Sequence, residues 1–201
     1  MQSPGAQRGP VGILLCAGFG RRFGGDKLLA PLADGTPVAV ASARTLVAAL
    51  GQAVAVVRPE QDALQARLAE TGIGLLVCPE AEGGMGAALA AAVQRQGPAS
   101  GWVVALGDMP CVAELTIRQV AGALAGGASL AAPFHQGVRG HPVGFAPAWR
   151  SALLSLTGDE GARALLRQHA AELTLIDVDD PGCLQDVDTP QDLVGLSRHG
   201  R

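Results

Sequence analysis

Short apolar runs alternate along this chain with longer stretches of helical period, and few architectures accept that order. "VGILLCA" (11 to 17), "QAVAVVRP" (52 to 59), "IGLLVCP" (73 to 79), "WVVALGD" (102 to 108) and "SLAAPF" (129 to 134) read as strands. Helical segments at 37 to 50, 60 to 72, 84 to 96 and 113 to 126 separate them, with Pro37 in a first turn and Gly72 closing the second helix. Runs apolar on both sides and joined by helices belong to a mostly parallel sheet covered on both faces. The expected fold is therefore a doubly wound α/β domain. After it, "GVRGHPVGF" (137 to 145) reads as a turn and a short strand, and helices follow near 147 to 154 and 159 to 170. A strand at 172 to 179 and a helix at 189 to 196, capped by Thr189 with Pro190 in its first turn, complete the pattern. With 201 residues the chain fits one domain, over 11 to 201, behind a frayed tail of residues 1 to 10.

Composition removes several classes of function. Net charge is −3, aromatic residues make up 3% and tyrosine is absent, so there is neither a basic footprint for nucleic acid nor a set of stacking rings. Cys16, Cys78, Cys111 and Cys183 lie far apart, without zinc-site spacing, and read as reduced, mostly buried thiols. No apolar run is long enough for a membrane helix, and "MQSPGAQRGP" lacks the apolar core of a signal peptide, so a cytoplasmic protein is expected.

The first strand ends in "AGFGRRFGGDKLL", residues 17 to 29. In an open parallel sheet, ligands sit beyond the carboxyl ends of the strands. Gly18, Gly20, Gly24 and Gly25 let the backbone approach a phosphate closely, while Arg21, Arg22 and Lys27 can balance its charge. Two better-known glycine motifs fail here. A dinucleotide fingerprint needs glycine where Phe23 stands, and a P-loop is broken by Asp26 before Lys27 and by Leu28 in place of Ser or Thr. A flexible turn with solvated arginines is the plain structural alternative.

The order Ala17-Gly18-x-Gly20-x-Arg22-Phe23-Gly24-x-Asp26-Lys27 resembles the signature loop of the MobA-like nucleotidyltransferases, which build molybdenum cofactors and, in related enzymes, nucleotide sugars. The resemblance implies a loop, Leu15 and Cys16 to Gly20, wrapping the base and triphosphate of an NTP, with Arg22 and Lys27 on the phosphates. "GDMP" resembles the family's metal strand end, which makes Asp108 a ligand of Mg²⁺ with Gly107 beside it. A helix cap or turn before Pro110 is the alternative for Asp108.

"DVDDPGCLQDVDTPQDL" offers Asp177, Asp179, Asp180, Asp186, Asp188 and Asp192, most of them expected as solvated loop or helix-start residues. "DVDTPQDL" is similar to the segment that closes the catalytic domain in this family, which points to Asp188, then Asp186, as further metal ligands. Gly84 and Met85 open a helix where backbone donors can meet an anion.

Leu15-Cys16-Ala17-Gly18, "GDMP" and Arg139-Gly140-His141-Pro142 resemble the cytidylyl group of molybdenum cofactor enzymes more than the guanylyl group. By that resemblance Arg139, Gly140 and His141 line the acceptor side, CTP and molybdopterin are the substrates, and the product passes to an apo-molybdoenzyme of the xanthine dehydrogenase or aldehyde oxidase type. His141 as a structural turn residue is the alternative. Other acceptors, GTP in place of CTP, a non-catalytic cofactor carrier and a nicotinamide-dependent dehydrogenase are the rival functions.

Overall fold

The computed structural model describes residues 9–18 and 23–199, so Gly20 and Arg22 of the loop, and all but the last two residues of the expected tail, lie outside the described residues. At the centre, β1 (Val11–Leu15) pairs in parallel with β2 (Ala53–Val57) on one side and β4 (Trp102–Leu106) on the other, and β3 (Gly74–Val77) pairs with β2. Beyond β4 the sheet continues through β7 (Val143–Phe145) to β5 (Leu130–His135), which also carries β6 (Val138–Arg139) and β8 (Leu173–Asp177). β1 to β5 and β8 run one way; β6 and β7 run the other. The reversal follows from chain length. β5 and β6 are joined only by Gln136 and Gly137, at φ 49 and 85, a two-residue turn that closes a hairpin and leaves no room for a crossover helix.

Period-two alternation sorts the core into two layers. Leu14 and Val103 face α1 (Val38–Leu50), α2 (Asp62–Ala69) and α4 (Glu114–Ala125), where they pack with Leu46, Leu64, Leu68 and Val120. Ile13, Trp102 and Val104 face α3 (Met85–Gln96), α5 (Arg150–Leu154) and α6 (Arg163–Gln168), and pack with Leu89, Leu153 and Leu166. Each fully buried Leu or Ile contributes roughly 1.5–3 kcal/mol. α7 (Pro190–His199) closes the described chain.

Departures from the sequence expectation fall at edges and ends. β3 and β8 are not buried on both faces: Leu75, Val77 and Leu175 are 39%, 43% and 46% exposed, because these strands lie at the margins of the sheet. α2 stops at Ala69, three residues before Gly72, where the Thr71 hydroxyl donates to the Leu68 carbonyl at 2.7 Å. Pro37 is the cap residue preceding α1, one position outside the helix. The helix expected from 159 begins only at Arg163; the residues before it form a loop across the start of α3, with the Gly86 N–H donating to the Gly158 carbonyl at 2.8 Å. All four cysteines are unpaired, and Cys111 alone is exposed. Among the described residues, no helix is long and apolar enough to cross a membrane.

Candidate active site

β1 and β4 are neighbours in register, Leu15 opposite Leu106, and the Gly107 N–H extends the ladder to the Leu15 carbonyl at 2.9 Å. Gly18, where the glycine loop begins, and Asp108 therefore leave the same edge of the sheet side by side. Lys27 is aimed by its neighbour: Leu28 is buried among the α1-side core residues, and a turn closed by Ala30 N–H to the Lys27 carbonyl at 3.3 Å leaves the lysine facing the cleft.

The third strand of chain arrives from the C-terminal segment. Val187 is fully buried, and its N–H donates to the Asp108 carbonyl at 2.9 Å, which places Asp186 and Asp188 on either side of the anchor. Lys27 Nζ donates to Asp108 Oδ2 at 2.7 Å and to Asp188 Oδ1 at 3.1 Å. Asp108, Asp186 and Asp188 each present a carboxylate oxygen within 4.8 Å of the others. Three carboxylate oxygens this close together, two of the groups already bonded to an ammonium, are a donor set that fits a hard divalent cation.

The local charges respond. Partial burial, followed by the negative charges of Asp188 and Asp108, pushes the Asp186 carboxyl up. Burial by itself would lower Lys27, but its hydrogen bonds and charge pairing with Asp108 and Asp188 outweigh it and hold the ammonium above its usual range.

One chamber opens at this point and a second adjoins it. The first, of about 420 Å³, is lined by Leu15, Ala17, Gly18, Lys27, Gly84, Met85, Arg163 and the three aspartates, among others. The other, of about 390 Å³, has apolar walls including Leu89, Val104, Val143, Phe145 and Leu166, and carries Arg139, His141, Arg163 and Arg167. Leu15, Met85, Leu106, Asp159 and Arg163 border both, so the chambers are contiguous. In the second chamber Arg139 Nη1 and His141 Nδ1 are buried without a hydrogen-bond partner. Burial, then the positive charges of Arg139 and Arg163, drives His141 down to about 4, and burial with Arg163 lowers Arg139. This is an apolar chamber in which Arg139, Arg163 and Arg167 stand with Asp159 and Glu160, Arg167 being paired with Glu160 at 3.2 Å.

Three residues expected in the site stand behind its wall. The Cys16 thiol is buried in the core beside Leu14 and Leu28, and burial, with Asp108 and Asp26, raises it far above the ordinary thiol range. At Gly107 a Cβ would come within 2.6 Å of Cys16 Sγ, and at Gly140 within 2.5 Å of the Cys183 carbonyl, so both glycines permit close packing. Gly84, at φ +100, similarly admits Gly158 and Asp159 across the start of α3, and it also lines the first chamber.

Asp180 is a clear correction. It is buried, not solvated: its carboxylate accepts from the Thr116 hydroxyl at 2.6 Å, Ala113 N–H at 2.9 Å and Gly182 N–H at 3.0 Å, tying the C-terminal segment to the start of α4. Asp192 serves as a helix-start residue, accepting from the N–H groups of Asp188 and Thr189 and from the Thr189 hydroxyl. Arg163 and Asp159 were missed because a cation or acid beside a helix start ordinarily reads as surface.

A family model described as a MobA-like NTP transferase domain matches residues 12–173. The chain belongs to the MobA-like NTP transferase family. As a member it is a nucleotidyltransferase, of a family that typically uses a divalent metal. It is 32% identical over 195 residues to a Paenarthrobacter nicotinovorans protein named nicotine blue oxidoreductase, covering 92% of this chain and 95% of that one. It is 29% identical over 194 residues to the purine catabolism protein PucB of Bacillus subtilis, covering 90% and 93%. Rv0371c of Mycobacterium tuberculosis, solved in complex with manganese, superposes with a TM-score of 0.80 at 27% identity, covering 96% of this chain and 100% of that one.

Proposed function

We propose that this MobA-like transferase is a Mg²⁺-dependent cytidylyltransferase that moves CMP from CTP to the terminal phosphate of molybdenum-loaded molybdopterin, giving molybdopterin cytosine dinucleotide and pyrophosphate. The observation that carries the reading is the junction of the two chambers. One side presents Gly18 at the start of the glycine loop, Lys27 and a carboxylate cluster; the other is apolar and carries Arg139, whose buried Nη1 has no hydrogen-bond partner, and they meet at Leu15, Met85, Leu106, Asp159 and Arg163. The second chamber suits a flat heterocycle ending in an anion.

A phosphate monoester with a second pKa of about 6 is already a nucleophile at neutral pH. Its oxygen forms a bond to the α-phosphorus while the bond from that phosphorus to the bridging oxygen breaks, and the electron pair leaves on pyrophosphate. No general base is needed. Lys27 would stabilise the charge gathering on the triphosphate, Arg139 and His141 would orient the acceptor, and Arg163 would span the junction. Asp108, with Asp188 and Asp186, would hold the divalent cation, which when bound neutralises phosphate charge. Arg22 stays a proposed phosphate contact from the loop motif. The product would pass, in the cytoplasm, to an apo-molybdoenzyme of the xanthine dehydrogenase or aldehyde oxidase type.

The relative named as an oxidoreductase supports a second reading, redox chemistry in the apolar chamber. Pyrophosphate release with Mg²⁺, molybdenum-loaded molybdopterin and either CTP or GTP, beside NAD(P)H oxidation under the same conditions, separates them. CTP-dependent release abolished by Asp108→Ala, in a variant that still folds, supports the proposal; release only with GTP overturns the base, and NAD(P)H oxidation by dissolved dioxygen with neither CTP nor GTP present, and without pyrophosphate release, overturns the reaction.

A further inference from the structure

β1 and β2 part company just where the nucleotide loop begins. The β1–β2 register ends at Leu15 opposite Val56, with the Cys16 N–H still donating to the Val56 carbonyl at 3.0 Å, and β2 itself ends at Val57. Three successive carbonyls, of Cys16, Ala17 and Gly18, thus pass beyond the ladder, and backbone acceptors need partners. Side chains supply them. Arg58 Nη1 donates to the Ala17 carbonyl at 2.6 Å and the Gly18 carbonyl at 3.0 Å, and Gln61 Nε2 donates to the Cys16 carbonyl at 3.2 Å.

The donors are themselves fixed. Gln61 is buried and its Oε1 accepts the Arg58 N–H at 2.7 Å; Gln65 Nε2 donates to the Arg58 carbonyl at 3.0 Å, and Arg58 Nε pairs with Glu60. The Arg58 side chain is only 11% exposed. A separate polar recess of about 230 Å³ lies between this corner and the loop, lined by Gly18, Gly25, Asp26, Lys27, Arg58 and Gln61 among others.

We propose that Arg58, seconded by Gln61, is the positioning residue of the nucleotide loop. By holding the carbonyls of residues 16 to 18 against the β2–α2 corner, the pair sets the path on which Ala17 and Gly18 face the first chamber, before any nucleotide arrives. A planar guanidinium suits this task because one Nη serves two adjacent carbonyls at fixed angles, which the flexible, point-like charge of lysine does not reproduce. The inference rests on the nucleotide reading of that chamber, and not on which base or acceptor is used.

The test compares wild type, Arg58→Ala, Arg58→Lys and Gln61→Ala. Hydrogen exchange of peptides covering residues 14 to 18 is measured in the free protein, and binding of inorganic tripolyphosphate, CTP and GTP with Mg²⁺ is measured by calorimetry. Arg58→Ala is expected to speed exchange in that peptide alone, to keep its melting temperature within a few degrees, and to bind triphosphates roughly tenfold more weakly. Guanidinium ion at millimolar concentration should restore part of the affinity of Arg58→Ala, and Arg58→Lys should not recover it. Exchange and affinity unchanged in both Arg58→Ala and Gln61→Ala would overturn the proposal, as would a weakened Arg58→Ala whose exchange rises across the whole sheet. Wild type that binds tripolyphosphate and GTP but not CTP would remove the cytidylyl assignment while leaving this comparison intact.

Discussion

Lys27 Nζ lies 2.7 Å from Asp108 Oδ2 and at the same time 3.1 Å from Asp188 Oδ1, so one ammonium group bridges two of the three clustered carboxylates. The same lysine lines both the first chamber and the polar recess beside the loop, so it has room to turn toward a bound triphosphate.

On the proposed reading Lys27 and a divalent cation would compete for oxygens of Asp108 and Asp188 until phosphates drew the lysine away. Lys27→Met should raise nucleotide-free Mn²⁺ affinity by about tenfold, since one like charge is removed at contact distance. The same variant should lower kcat at saturating CTP by about a hundredfold, because a charge placed on the transferring group is lost. Electron paramagnetic resonance of free Mn²⁺ reads the first quantity and pyrophosphate release the second; equal Mn²⁺ affinity in both proteins would rule out the competition.

Arg139 and Arg163 should separate in kinetics. Arg139 borders only the apolar chamber, so Arg139→Ala should raise KM for the acceptor about tenfold and leave KM for CTP alone. Arg163 borders both chambers, so Arg163→Ala should raise both constants. Steady-state titration of each substrate decides, and an unchanged acceptor KM in Arg139→Ala would take that residue out of the binding surface.

Asp180 holds the C-terminal segment through Thr116, Ala113 and Gly182. Asp180→Ala leaves three donors without their acceptor and should destabilise the fold by roughly 2–3 kcal/mol, while Thr116→Val removes one bond and should cost about 1 kcal/mol. Urea unfolding measures both. A neutral Asp180→Ala would mean that Val187 alone anchors the acids.

His141 links the second, apolar chamber to acid stability. Its folded pKa of about 4 lies below the ordinary 6.5, so between those values the unfolded chain binds the extra proton and stability falls as pH drops. The contribution is complete above about pH 6.5, exhausted below about pH 4, and at most about 3 kcal/mol. Urea unfolding at several pH values should show wild type losing stability relative to His141→Gln across that window. Parallel pH profiles for the two proteins would contradict the burial of an uncharged imidazole.

The order of strands and helices was legible in the amino-acid sequence because alternation and helical period are local consequences of which faces must leave water. The loop after β1, Lys27 and Asp108 were legible for a related reason, since a parallel sheet delivers its strand ends to one edge whatever the details. Edges and the far chamber were not. Leu75 and Val77 look like a buried strand until β3 is found at the margin, and only the short turn at Gln136 and Gly137 explains why β6 and β7 run backward. Asp180 and Asp186 are both acids in one polar stretch, yet one is buried on Thr116 and the other stands beside Lys27's partners. Nothing local in the sequence singles out Arg58 or Arg163, because the atoms they meet are backbone carbonyls and chamber walls distant along the chain. Local sequence determined which segments form and which edge of the sheet carries the site; tertiary packing alone decided which charges lose water, and burial is what turns a charge from a solvated face into a tool.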